Sequence, residues 1–204
     1  MPLETPRTTR ARYHHGDLAP ALLLASEAEL EEQGIEGFSI RGVAKRIGVS
    51  HTALKPHFGD TRGLLTALAA GGFDRLLAAQ RAKQRESSPQ PAAQLVALGL
   101  AYVDFAERHP ALFRLMFASE RPDQGAPALQ TAAAAAFRHL ALTARAAGRA
   151  RGRRPASIDV LAAWAVAHGL ADLLIAGRLE KFEANTPQNM RKLINRTLRR
   201  IALV

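Results

Sequence analysis

His51, Thr52, Lys55 and His57 place four hydrogen-bonding side chains within seven residues. Imidazole, hydroxyl and ammonium groups at that spacing suit phosphate oxygens and base edges when one short helix presents them together. Between them, Ala53, Leu54 and Phe58 form the apolar set expected to pack inward. Upstream, Ile40, Val43, Ala44 and Ile47 recur at i, i+3, i+4 and i+7, the spacing of a helix with one buried stripe. Ser39 supplies a side-chain oxygen to cap that helix, Gly48 suits the left-handed conformation that ends it, and Val49 gives the turn an apolar plug. Ser50 then caps a second short helix running to about residue 58. Two short helices joined by a three-residue, glycine-containing turn make a helix-turn-helix, whose second helix enters the DNA major groove. A helical hairpin with a basic outer face also occurs in structural domains, and spacing alone leaves that reading open.

Charge has to be read locally. The chain of 204 residues carries a net charge of +10, yet residues 1–62 hold eight Lys plus Arg against eight Asp plus Glu. Global charge is therefore a poor argument for nucleic acid. Within this region acids gather at Glu27, Glu29, Glu31, Glu32 and Glu36, whereas Arg41, Lys45, Arg46, Lys55 and Arg62 are opposed only by Asp60. That polarity would turn a basic side toward DNA. Arg7, Arg10 and Arg12 form an arm that could reach phosphate or a minor groove, or serve only as a solubilising tail.

The elements that must position this hairpin are all helical by pattern. Leu64, Leu65, Leu68, Leu76 and Leu77 mark a helix capped by Asp60, with Gly71 and Gly72 as a candidate bend. A break over residues 86–91 precedes a helix over about 92–108, closed by His109 and Pro110, then a short helix with Leu112, Phe113, Leu115, Met116 and Phe117. A loop at 121–127, an alanine-rich helix over 128–147 and a basic break at 148–155 follow. Ser157 is the expected cap of a Trp-bearing helix, and Thr186 with Pro187 opens the last one. No segment has a strand period, and no internal repeat is visible.

From residue 13 to about 77 the chain resembles the TetR family of bacterial transcriptional regulators. The resemblance rests on YHHGDL at 13–18, EEQG at 31–34, the hairpin, and HFGD at 57–60 followed by Leu64 and Leu65. AYVDFAERHPALFRLMF at 101–117 and AWAVAHGL at 163–170 resemble a TetR C-terminal domain marked by Trp164, His168 and Gly169. The chain departs from the family pattern at Lys55, where a Tyr is usual, at Thr61, where a Lys is usual, at Pro56, and at Glu29, where an apolar residue is usual. The resemblance implies an all-α protein: an N-terminal arm and three-helix DNA-binding domain over residues 1–62, and a C-terminal helical ligand-binding and dimerisation domain over 63–204. The DNA-contacting set is then Ser39, Arg41, Lys45, Ser50, His51, Thr52, Lys55, His57 and Thr61. Two long C-terminal helices would pair with a second copy as a four-helix bundle, with Ala162, Ala163, Ala165 and Gly169 permitting close approach. Partners implied are a palindromic double-stranded DNA operator, a small apolar effector and a second identical chain. The departures keep a second reading open, a ligand-binding or protein-interaction dimer whose DNA binding has weakened or been lost.

Phe105, Phe113, Met116, Phe117, Trp164, His168 and Asp172 gather aromatic and apolar surface with a few polar groups, the mix a small-molecule site uses; plain core is the competing reading. His168 and Asp172, four apart, share one helix face and could pair. No His pair has a third ligand, so no metal or other cofactor is expected. A nucleophile with an oriented base, paired carboxylates and a phosphate loop are missing too, so no catalytic residue is expected. The absence of cysteine excludes disulfides and fits a cytoplasmic location, as does the lack of an apolar segment after the basic residues 1–16. Residues 158–176 are apolar enough to resemble a membrane span, but Asp159, His168 and Asp172 favour a buried or dimer-facing helix and no membrane.

Overall fold

The computed structural model describes residues 18–154, 156–182 and 186–203, so the arm arginines and most of YHHGDL lie outside the described residues. It is all-helical, with no strand among the described residues. Helix α1 (Leu18–Gly37) is interrupted at Gly34, whose φ of 70° is left-handed, so the chain turns there and regains helical form for its last residues. In α2 (Ile40–Ile47), Ser39 Oγ accepts from the Gly42 N–H at 3.0 Å, and Gly48 at φ 69° closes the helix.

The second helix of the hairpin is not uniform. A 3-10 turn, His51–Leu54, leads into a single α-turn, α3 (Lys55–Phe58). Pro56 explains the split: it has no N–H to bond the carbonyl four residues back, and it sits without cost in the first turn of α3. Asp60 then caps α4 (Thr61–Arg85) by accepting from the Gly63 N–H at 2.8 Å.

Four later helices open on proline, whose missing N–H has no partner in a first turn anyway: α5 (Pro91–Arg108), α6 (Pro110–Phe117), α7 (Pro127–Arg149) and α9 (Pro187–Leu203). α8 (Ser157–Ile175) starts differently from expectation. Ala156 occupies the flanking position, so Ser157 is inside the helix and caps nothing; Asp159 instead places a carboxylate in the first turn, 3.0 Å from Arg153.

α4 organises the core. Its buried Leu64, Leu65 and Leu68 pack beneath the hairpin, and Phe73 and Leu76 continue the same core among α5, α6 and α7. The expected bend at Gly71 and Gly72 is absent, and α4 runs unbroken through both. Gly72 instead lets α6 approach, because a Cβ there would lie 2.6 Å from Met116 Sδ. α8 is the one helix among the described residues long and apolar enough to cross a membrane. Val160, Ala163, Ala167, Leu170 and Ala171 are its buried residues and α5 its main neighbour, while Ile158, Leu161 and Leu173 remain exposed.

Candidate nucleic-acid interface and apolar cavity

The hairpin leaves its polar residues accessible around a buried anchor. Leu54 is 2% exposed and anchors the 3-10 turn, with Ala53 and Phe58 half-buried beside it. Ser39, Arg41, Lys45, Ser50, His51, Thr52, Lys55 and His57 are exposed, and Thr61 is half-buried at the start of α4. Ser50 Oγ accepts from the Thr52 N–H at 3.3 Å and lies 2.8 Å from Thr52 Oγ1, so the two hydroxyls position one another at the turn. The surface offers ammonium and guanidinium groups for phosphates and imidazole and hydroxyl groups for base edges.

Arg46 leaves the basic face that the sequence suggests. Its Nε donates to Glu29 at 2.7 Å and its other end pairs with Glu32. Hydrogen bonding to Glu32, then to Glu29, holds the guanidinium above its ordinary pKa. Glu29, 6% exposed, is thus accommodated where an apolar residue was expected, and it fills the space that a Cβ at Gly42 would need. Two further acids of α1, Glu27 and Glu31, also have specific partners. Glu27 lies 2.8 Å from Arg75 and 3.0 Å from His109 Nδ1. Glu31 accepts from the backbone N–H groups of Ala111 and Leu112 at 3.0 and 3.1 Å, capping α6 from α1. Arg121 donates to the Ile35 carbonyl, adding a further tie between α1 and the remainder of the chain.

A cavity of about 420 Å³ opens among α4, α5, α6, α7 and α8. Phe73, Leu76 and Gln80 come from α4, Leu98 and Tyr102 from α5, Phe117 from α6, Phe137 and Leu140 from α7, and Trp164 and Ala167 from α8. The Tyr102 hydroxyl is 2.7 Å from His168 Nδ1, and His168 Nε2 is 3.5 Å from Asp172 Oδ2. Burial pushes the Tyr102 phenol far above its ordinary pKa, against a hydrogen bond with Trp164 that lowers it, so the phenol stays protonated. His168 thus stands between the buried phenol and the exposed Asp172 carboxylate.

Of the residues gathered from sequence, Phe117 and Trp164 line this cavity. Phe113 and His168 stand behind it, with ring centroids 5.5 and 6.0 Å from that of Tyr102. Asp172 is exposed beyond His168, Phe105 lies against the His109 ring, and Met116 packs at Gly72. Sequence reasoning missed Phe73, Gln80, Tyr102 and Phe137. A polar Gln80 at i+7 from Phe73 and i+4 from Leu76 was the available signal, a single amide in an apolar helical stripe. Among the described residues no group of three His, Cys, Asp or Glu could hold a metal ion.

Residues 22–68 match the profile described as bacterial regulatory proteins, tetR family, and residues 95–201 match that of a Tetracyclin repressor-like C-terminal domain. No curated protein matches the chain in sequence. Among solved structures, a Rhodococcus sp. RHA1 protein of unknown function is 33% identical at a TM-score of 0.77, covering 95% of this chain and 100% of that one. The TetR family transcriptional regulator PfmR from Thermus thermophilus is 18% identical at 0.63, covering 89% and 97%. A TetR variant from Acinetobacter baumannii AYE, in complex with minocycline, is 21% identical at 0.56, covering 94% and 96%. At those two identities the likeness speaks for the fold.

Proposed function

Because the chain belongs to the TetR family, whose members are DNA-binding transcriptional regulators and not enzymes, we propose that it is a cytoplasmic, homodimeric repressor released from its operator by a small apolar effector. One observation carries the DNA half of this reading: a buried Leu54 beneath exposed His51, Thr52, Lys55 and His57 on a helix-turn-helix. Arg41, Lys45 and Lys55 contact phosphate, with hydroxyls from Ser39, Ser50 and Thr61. His51, Thr52 and His57 face base edges. Residues 1–62 form the DNA-binding unit and 63–204 the effector-binding and dimerising unit.

Two copies must hold their recognition segments about 34 Å apart to enter successive major grooves on one face of DNA. α8 supports a dimer, because Ile158, Leu161 and Leu173 are exposed apolar residues and a Cβ on Gly169 would meet nothing within the protomer. Paired with α9, this face makes a four-helix bundle with the second copy. The cavity supports effector control, because two of its walls also hold the DNA-binding unit. α4 contributes Phe73 to Gln80 at the cavity and Leu64 and Leu65 under the hairpin. α6 contributes Phe117 to the cavity and is capped at its other end by Glu31 of α1. A ligand that shifts either helix alters the spacing of the two hairpins. A coupling of about 1–3 kcal/mol changes operator affinity roughly 5- to 150-fold.

The test is selection of the purified protein against random duplexes at about 0.1 M salt, followed by a salt titration of the selected sequence. Enrichment of a palindrome with half-sites about one helical turn apart is the expected result. Weak binding that vanishes with salt and selects no sequence would replace this proposal with the ligand-binding or protein-interaction dimer that lacks operator binding.

A further inference from the structure

Gln80 is the anomaly in the cavity wall. It is 2% exposed, in the middle of α4, and its side-chain oxygen is buried without a hydrogen-bond partner. Buried acceptors are almost always paired, and one left unpaired is costly. Among the described residues two other buried side-chain atoms share this condition, on Arg151 and Asp159, and neither residue lines this cavity. The cavity wall's other polar groups are already engaged: the Tyr102 hydroxyl lies 2.7 Å from His168 Nδ1 and hydrogen-bonds with the Trp164 indole, so a water trapped beside Gln80 would lack the two to four polar partners it needs. The remaining lining is hydrocarbon and aromatic, and none of it carries a formal charge. A charged ligand would lose its hydration there without a counter-charge.

We propose that the cavity takes an uncharged, mainly hydrocarbon or aromatic molecule bearing one hydrogen-bond donor, a hydroxyl or amide N–H, toward which the buried amide of Gln80 turns its side-chain oxygen. This rests on the reading of the cavity as the effector site. A volume of about 420 Å³ is within the range of small-molecule sites. A wholly apolar molecule of the same shape fills the space but leaves the Gln80 oxygen unpaired, so the donor sets selectivity and the apolar walls supply most of the affinity.

Trp164 is the only tryptophan of the chain and lines the cavity, so its fluorescence reports occupancy directly. The full chain is titrated with 4-butylphenol and with 4-butyltoluene, which differ by a hydroxyl in place of a methyl group of similar size. The phenol is expected to bind about tenfold more tightly, the gain of one neutral hydrogen bond to a buried acceptor. In Gln80→Leu, which keeps the wall apolar and removes the acceptor, the preference is expected to vanish or reverse, because the phenol hydroxyl would then be buried without a partner. Equal affinities in the native protein, or a preference for the phenol that survives in Gln80→Leu, would overturn the role of Gln80 while leaving the cavity as a binding site. Failure of both probes to bind the native protein would overturn the effector site itself, and this inference with it.

Discussion

At the scale of single residues, the proposed DNA contacts divide labour between charge and shape. Lys55 offers a flexible point charge, whereas the Thr52 hydroxyl is fixed beside Ser50 Oγ at 2.8 Å. Lys55→Ala should weaken binding to every duplex and reduce the salt slope by about 1, while Thr52→Ala should change which base pair is preferred. Competition binding on a panel of single-base variants separates these outcomes, and identical effects from both would sink the division. A second prediction concerns Gly42, half-buried in α2. Replacing a helical glycine by alanine ordinarily stabilises by about 0.8–1 kcal/mol. Here the added Cβ would collide with the Glu29 carboxylate, which Arg46 holds in place. Gly42→Ala should therefore destabilise, by about 1–3 kcal/mol in the manner of an overpacked core, as read from a urea melt. A rise in stability would mean that Glu29 swings free.

At the scale of helices, α1 acts as a clamp through its acids. Glu27 reaches Arg75 on α4 and His109 between α5 and α6, and Glu31 caps α6. In sequence these residues read as the acidic side of a DNA-binding domain; their partners lie as far as 82 residues away, from Glu27 to His109. Glu31→Ala should cost about 1 kcal/mol, the usual loss of a helix cap, measurable as a lower thermal midpoint. It should also leave probe binding at the cavity near native while reducing how far the probe lowers operator affinity. Unchanged coupling would assign Glu31 to stability alone.

At the scale of the whole molecule, the exposed apolar side of α8 is the feature that most needs a partner. Leu161 is 60% exposed, so Leu161→Glu leaves the protomer core intact. Sedimentation should show monomer for that variant and dimer for the native chain, and affinity for a two-half-site operator should fall while a single half-site is bound as before. A dimeric variant would place the interface elsewhere. The helices and their order were legible from the amino acids because caps such as Ser39 and Asp60, the opening Pro187 and the Gly48 stop act between residues three or four apart, so spacing along the chain is already spacing in the fold; that Pro91, Pro110 and Pro127 also open helices, and do not merely end or interrupt them, emerged in the structure. The hairpin surface was legible for the same reason, with Leu54 inward and His51, Thr52 and Lys55 outward. Folding alone decided the rest. Arg46 turns from the basic face to Glu29, Gly72 proves to be a crossing point for α6 instead of a bend, and Gln80 becomes the lone amide of a cavity built from five helices. Each of these depends on which helix faces meet and at what distance, which no local pattern along the chain encodes, because packing is settled only when distant segments share one core.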